Sequence, residues 1–208
     1  MTVPHSLPIL KNAPSPLEAE QGRPQFIVVL YSSRFGQAMR IAQTMVQELE
    51  AQGHMARAQA LDAQQEWPAD CQALVLVASI RYGHFAPAVR GFVQRHARQL
   101  ASVPSAFASV SLTARKPEKR EPQNHSYTRK FLAQAMLLGW QPRWCAVLAG
   151  ALRYPLYGWL DKQMIRLIMR LTGGETRPDR EVEYTDWQQV RAFARQIGAG
   201  VDAPVFRK

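Results

Sequence analysis

Phe26-Ile27-Val28-Val29-Leu30-Tyr31-Ser32-Ser33-Arg34-Phe35-Gly36-Gln37-Ala38 is the stretch on which the reading of this chain turns. An unbroken run of β-branched and aromatic residues reads as a strand covered on both faces, as in a parallel sheet. It stops at two hydroxyl residues and a short loop with one glycine, and a helical pattern follows. A strand feeding through a small polar turn into a helix leaves backbone N–H groups free at the helix start, which suits an anion such as a phosphate. A plain capped strand–turn–helix has the same pattern, and this stretch alone does not separate the two.

Working outward, the helix runs from about Gln37 to Gln52, with Met39, Ala42, Met45, Val46 and Leu49 on one face and Gly53 as its stop. Residues 54–60 form a weak second strand. Ala73–Ala78 is a strong buried strand that ends in the loop Ser79-Ile80-Arg81-Tyr82-Gly83-His84. Pro87 opens a helix reaching about Leu100. Ser105–Val110 is the fourth strand, followed by Ser111-Leu112 and the charged, proline-punctuated run Arg115–Pro122. A helix spans about 126–138 and stops at Gly139; Trp144–Gly150 is the fifth strand, with Ala151 and Leu152 after it. The last helix covers about 186–198, capped by Asp186, with Trp187, Val190, Phe193, Ala194 and Ile197 at helical spacing. Residues 1–24, with five prolines, read as a loosely ordered leader, 25–200 as one domain and 201–208 as a tail.

Strands alternating with helices predict a doubly wound α/β domain: a flavodoxin-like, five-stranded parallel sheet of order 2-1-3-4-5 with helices on both faces. Ligands of such sheets bind at the carboxyl ends of the strands beside the switch point, between strands one and three. The loops after strands one, three, four and five therefore supply the candidate site.

The 208 residues are 47% hydrophobic, enough for one core, and carry a formal net charge of +10. A chain this basic seeks anionic partners. No zinc-finger spacing, basic zipper or RNA-binding aromatic signature is present, which argues against nucleic acid. Cys71 and Cys145 read as free, buried thiols of a reducing compartment. No secretory signal and no run of membrane-spanning length is found. Assembly of several copies is compatible with the sequence.

One segment exceeds what the sheet needs. In about 154–172, Lys162, Arg166 and Arg170 recur every fourth residue as a cationic stripe, Trp159 stands near one end, and apolar side chains cover the rest. This amphipathic basic insert has the composition of a helix lying in an anionic membrane surface. Three such cations contribute on the order of 3 kcal/mol there, at about one each. The alternative is a core or interface helix.

The usual dinucleotide and nucleoside-triphosphate loops are missing, as are zinc-ligand clusters and a nucleophile elbow. What remains is a mononucleotide phosphate site at the first turn, with Tyr82 as a stacking surface for a flat ring. FMN meets these requirements.

Four further stretches carry a resemblance: Ala78–His84, Ala114–Arg120, Ala149–Pro155, and Gly173-Gly174-Glu175 with Tyr184-Thr185-Asp186-Trp187. From about Phe26 to about Ala199 the chain resembles the bacterial flavodoxin-type protoporphyrinogen oxidases, menaquinone-dependent dehydrogenases of haem synthesis. The resemblance implies FMN held by Ser32, Ser33, Arg34, Phe35, Gly36, Gln37 and Ala38, by Ser79, Ile80, Arg81, Tyr82, Gly83 and His84, and by Ser111, Leu112, Gly150, Ala151 and Leu152. It implies oxidation of protoporphyrinogen IX, with hydride passing to the flavin and then to menaquinone or another quinone. Association with the cytoplasmic face of the bacterial inner membrane follows, with Trp159, Lys162, Arg166 and Arg170 as the contact. Arg115, Lys116, Lys119 and Arg120 are the candidates for the substrate propionates, since cationic side chains pair with carboxylates. Arg81 and His84 lie on the flavin side, where His84 is placed to relay a proton. Two positions depart from the family pattern: Phe35 replaces a small acidic residue and Ala38 a hydroxyl residue. One lost neutral hydrogen bond weakens binding by about 1 kcal/mol without abolishing it. The competing classes are a flavodoxin-like electron carrier, an NAD(P)H:quinone reductase on the same fold, and a non-catalytic porphyrin-binding module.

Overall fold

The computed structural model describes residues 25–153, 163, 170 and 181–201. The leader 1–24, most of the insert and the residues after Val201 lie outside the described residues. In chain order the elements are β1 (Phe26–Ser32), α1 (Gln37–Ala51), β2 (Ala56–Ala60), β3 (Cys71–Arg81), β4 (His84–Phe85), α2 (Pro87–Ser102), β5 (Ser105–Ser111), α3 (Ser126–Leu137), β6 (Trp144–Ala149), β7 (Ala151–Arg153), β8 (Glu181–Glu183) and α4 (Trp187–Val201). Two short 3-10 turns, Leu112–Arg115 and Pro117–Lys119, follow β5.

The main sheet runs β2-β1-β3-β5-β6 with all these neighbours parallel. With β5 and β6 counted as the fourth and fifth long strands, this is the expected 2-1-3-4-5 order. Period two decides which strand residues face which layer. Ile27 and Val29 of β1 join Val75 and Val77 of β3 under α1 and α4, where Ile41, Met45, Phe193 and Ile197 pack. Val28, Leu30, Leu74 and Leu76 face the opposite side, against Phe92 and Leu100 of α2 and Phe131 of α3. The sheet is therefore dry on both faces, which is why its strands read as continuous apolar runs.

Helix ends follow their residues. After α1, Gly53 takes φ +91°, and the amides of Gly53 and His54 close back on Glu50 and Leu49. After α3, Gly139 at φ +88° does the same, with Gly139 and Trp140 bonding to Met136 and Ala135. Asp186 caps α4, its Oδ1 accepting from the amides of Gln188 and Gln189 at 3.1 Å each.

Two features differ from the sequence reading. The segment Ser79–His84 is not a loop: β3 continues to Arg81, and Tyr82-Gly83 turns the chain into β4, with Arg81 paired to His84. The chain after β6 forms a second, two-stranded sheet, with Leu152 of β7 opposite Val182 of β8. Both thiols are free, and burial pushes Cys71 up to about 12 and Cys145 up to about 11. Among the described residues no helix is long and apolar enough to cross a membrane, and no cluster of metal-binding side chains occurs.

Candidate functional site

Parallel register brings the carboxyl ends of four strands together. Ser32 stands beside Ala78, Ser79 beside Val110, and Ser111 beside Ala149. Ser79 Oγ donates to the Ser32 carbonyl at 2.9 Å, tying the ends of β1 and β3 at the switch point. The Gly150 amide bonds to the Ser111 carbonyl at 3.2 Å.

The turn between β1 and α1 has Gly36 as the helix N-cap, at φ +83°, a conformation glycine adopts without steric cost. The first intrahelical bond of α1 joins the Arg40 amide to the Gly36 carbonyl at 3.0 Å. The amides of Gln37, Ala38 and Met39 precede it and point out of the helix start. Within the same turn Ser33 Oγ is buried and meets no hydrogen-bond partner among the described residues. A buried hydroxyl without a partner is costly, and a ligand oxygen relieves that cost. Ala38 is fully buried in the core below, so only its amide faces this turn. These residues fit a phosphate: outward amides, an orphaned hydroxyl and the positive end of a helix dipole.

On the adjacent hairpin, Tyr82 is at φ +48° and Gly83 at φ +81°. Positive φ at both central residues is what a two-residue type I′ turn requires, and asparagine is the usual first residue. Tyrosine there is strained, at a cost of order 1–3 kcal/mol. Its ring is exposed. Arg81 lies between two rings, 4.8 Å from the Tyr82 centroid and 5.6 Å from that of Phe35. Arg34 approaches the same Phe35 ring at 5.8 Å. Phe35 thus gathers cations through its π face instead of a carboxylate, and its ring packs on the buried Leu152. His84 is exposed on β4.

The loop after β5 is held from within. Ser111 Oγ accepts from the Thr113 amide at 3.3 Å. Arg115 Nη1 donates to the Leu112 carbonyl at 3.2 Å, and Arg120 Nε to the Ala114 carbonyl at 3.2 Å. Arg120 also reaches Asp186 at 3.5 Å. Lys116 and Lys119 are exposed. The four proposed propionate ligands therefore divide into two half-buried arginines that brace the loop and two lysines that face outward. Of the proposed membrane residues, Arg170 is helical and exposed, while Trp159, Lys162 and Arg166 lie outside the described residues.

Two networks were not foreseen from the sequence. Gln37 Nε2 donates to Glu183 Oε1 at 2.9 Å and to Thr185 Oγ1 at 2.7 Å, and Arg153 Nη2 donates to Gln37 Oε1 at 3.2 Å. The β7–β8 hairpin is thereby fastened to the first turn. The second is a buried chain, Ser109–Thr128–His125–Thr113–Ser111, with successive heavy-atom distances of 2.8, 2.8, 2.9 and 2.9 Å. Burial, with Lys119 nearby, lowers the His125 pKa, so both ring nitrogens serve as neutral hydrogen-bonding groups. Alternate serines on a fully buried strand were the available signal, since each needs a polar partner.

Comparison with known proteins bears on this arrangement directly. The flavodoxin-domain family profile matches residues 28–179. Protoporphyrinogen IX dehydrogenase [quinone] of Escherichia coli (strain K12) is 48% identical over 182 residues, covering 86% of this chain and 98% of its own. The chain belongs to the flavodoxin-domain protoporphyrinogen IX dehydrogenase (quinone) family. A protein of the same name from Leishmania major is 41% identical over 174 residues, covering 83% of this chain and 74% of its own. Oxidised flavodoxin 2 from Bacillus cereus superposes with a TM-score of 0.53 at 14% identity, covering 85% of this chain and 99% of that one. That likeness establishes the fold. As a member of this family the protein is a flavin-type oxidoreductase.

Proposed function

We propose that the protein binds FMN and oxidises protoporphyrinogen IX to protoporphyrin IX, passing the electrons to menaquinone or another quinone at the cytoplasmic face of the bacterial inner membrane. The observation that carries the cofactor is the orphaned Ser33 Oγ in the β1–α1 turn, beside the outward amides of Gln37 and Ala38. The substrate and acceptor rest on family membership.

In this reading Ser32, Ser33, Arg34, Phe35, Gly36, Gln37 and Ala38 hold the phosphate, chiefly through main-chain amides and the Ser33 hydroxyl. Tyr82, supported by Arg81, offers its exposed ring to the flat ring system, and Ser79, Ile80, Gly83 and His84 shape that side. Ser111, Leu112, Gly150, Ala151 and Leu152 close the other edge. Bound FMN supplies the oxidant for removal of hydride from a bridging carbon of the porphyrinogen. The protein's own task is to fix that carbon and to hold the propionates. Lys116 and Lys119 face the substrate, and Arg115 and Arg120 keep their loop in shape while adding positive charge. His84, exposed near Arg81, is the residue placed to take up the proton released from the ring system. Trp159, Lys162, Arg166 and Arg170 bring the site to an anionic bilayer, where a quinone partitions.

The deciding experiment is an anaerobic titration of the gently purified protein. The expected result is flavin absorbance that bleaches with protoporphyrinogen IX and returns with a menaquinone analogue. A colourless protein would remove the cofactor. Bleaching by NAD(P)H and not by porphyrinogen would favour a quinone reductase, and a flavin indifferent to both would favour an electron carrier.

A further inference from the structure

The buried chain Ser109–Thr128–His125–Thr113–Ser111 carries its hydrogens in one direction, and the donors and acceptors at His125 fix which. Thr128 is fully buried in the first turn of α3, where the helix offers its amide no acceptor. That amide donates to His125 Nδ1 at 3.4 Å, and the Thr128 hydroxyl meets the same nitrogen at 2.8 Å. Nδ1 is therefore the acceptor of the ring. A neutral imidazole has one N–H and one acceptor, so the proton is on Nε2. Burial, and Lys119 after it, disfavour a charged ring.

Nε2–H donates to Thr113 Oγ1 at 2.9 Å. The Thr113 hydroxyl hydrogen then has one acceptor among the described residues, Ser111 Oγ at 2.9 Å. Ser111 Oγ also accepts from the Thr113 amide at 3.3 Å, so both of its lone pairs are taken. Its own hydrogen meets no acceptor among the described residues, although Ser111 is only 5% exposed. On the other side of the ring, Thr128 Oγ1 gives its hydrogen to Nδ1 and accepts from Ser109 Oγ at 2.8 Å. Every link thus points from Ser109 toward Ser111. Hydrogen bonds in line polarise one another, which strengthens the last donor.

Ser111 ends β5 at the carboxyl edge of the sheet, beside Ala149, and its carbonyl accepts from the Gly150 amide. A buried hydroxyl hydrogen without a partner is matched by an acceptor atom on a ligand. Resting on the FMN reading above, we propose that Ser111 donates to an acceptor atom of the bound flavin and that His125, in its Nε2–H form, is the positioning residue that aims this donor. The chemistry required of the ligand at this edge is a carbonyl or hydroxyl oxygen or a bare ring nitrogen. An N–H group does not fit, because Ser111 has no lone pair left to receive it.

The test uses the full chain. Nitrogen NMR of the isotope-labelled, flavin-free protein reads the His125 tautomer, with the His125 signals assigned by their loss in His125→Asn. The expected result is a protonated Nε2 and a bare Nδ1; a proton on Nδ1 overturns the proposal. Dissociation constants for FMN are then measured by quenching of flavin fluorescence. Ser111→Ala is expected to weaken FMN about 5- to 10-fold, and Ser109→Ala, at the far end of the same chain, by less than about twofold. Thr113→Val keeps Ser111 but withdraws the hydroxyl that aims it, and is expected to weaken FMN about two- to fivefold. Should Ser111→Ala not fold, Ser111→Cys decides in the same direction, since a thiol of similar shape is a weak donor. Unchanged affinity in the Ser111 variant, or equal weakening by the Ser109 and Ser111 variants, overturns the donor. Wild-type affinity in Thr113→Val overturns the role of His125. Wild type that takes up no FMN overturns the FMN reading and this proposal with it, whereas FMN held equally by wild type and Ser111→Ala overturns this proposal alone.

Discussion

Gln37 Nε2 and Glu183 Oε1 lie 2.9 Å apart although 146 residues separate them in the chain. The contact joins the first residue of α1 to the last residue of β8, so the β1–α1 turn is braced by the β7–β8 pair. Gln37 is only 7% exposed and also donates to Thr185 at 2.7 Å, and Thr185 in turn donates to the Ala149 carbonyl at 2.8 Å. Arg40, by contrast, meets Glu183 at an exposed edge. Gln37→Ala removes a buried amide that joins three partly buried hydrogen bonds and is expected to cost about 1–3 kcal/mol. Arg40→Ala is expected to cost less than about 1 kcal/mol. Urea denaturation of the flavin-free protein measures both, and equal losses would mean that the brace is not where the stability resides.

Tyr82 occupies a strained backbone position while its ring remains exposed. Strain of this kind persists where function holds it. Tyr82→Asn supplies the residue that a type I′ turn prefers and removes the ring that Arg81 covers. Those effects offset each other, so stability of the flavin-free protein is expected to stay within about 1 kcal/mol of wild type or to rise. FMN affinity is expected to fall about tenfold, as loss of one stacking contact implies. If affinity and stability fell together, Tyr82 would be a structural residue and not a stacking platform.

The basic loop after β5 separates position from charge. Arg115 and Arg120 donate to the loop's own carbonyls, whereas Lys116 and Lys119 are exposed. Lys116→Ala with Lys119→Ala is expected to raise KM for the porphyrinogen about three- to tenfold, with unchanged melting and bound FMN. Arg115→Ala is expected to lower stability by about 1 kcal/mol as well as raising KM. Steady-state kinetics beside thermal melts distinguish the cases, and an unchanged KM in the double lysine variant takes these two residues out of the substrate site.

The membrane reading has its own check. Reversing Lys162, Arg166 and Arg170 to glutamate changes the local charge by six, from +3 to −3. Binding to anionic liposomes is expected to be lost or sharply reduced, since each cation near such a surface is worth about 1 kcal/mol. Flotation assays with neutral and anionic vesicles measure this. Undiminished binding would leave only the apolar face as the contact.

The fold was legible because its strands are long, buried and local in pattern. Phe26–Tyr31 and Ala73–Ala78 have no polar interruption, and Gly53, Gly139 and Asp186 mark helix ends by residue type alone. The β7–β8 hairpin was not legible. It pairs three residues with three others across the insert, and Glu181-Val182-Glu183 is too short for period two to register. The turn at Tyr82-Gly83 was hidden because its first residue is tyrosine and not asparagine. At the site, local sequence marked Ser33 and Gly36 but not Arg153, whose contacts are 116 and 118 residues away.

His125 links fold to pH. It is 2% exposed, caps α3 by accepting from the Thr128 amide, and has its pKa lowered chiefly by burial and further by Lys119. A base that is harder to protonate when folded binds more protons when unfolded. Its contribution to stability is therefore fully present above the unfolded pKa of about 6.5 and is lost as pH falls below that toward the lowered folded value. Asp70, whose pKa Arg57 lowers from 3.8, gives up its own contribution only in a more acid range. His125→Asn keeps a good capping side chain but cannot be protonated. Between pH 7 and 5 the wild type is expected to lose stability at no more than about 1.4 kcal/mol per pH unit from this group. The Asn variant should show a flatter slope over the same interval. Urea midpoints at half-unit steps measure both slopes, and parallel curves would mean that His125 does not set the acid sensitivity of the fold.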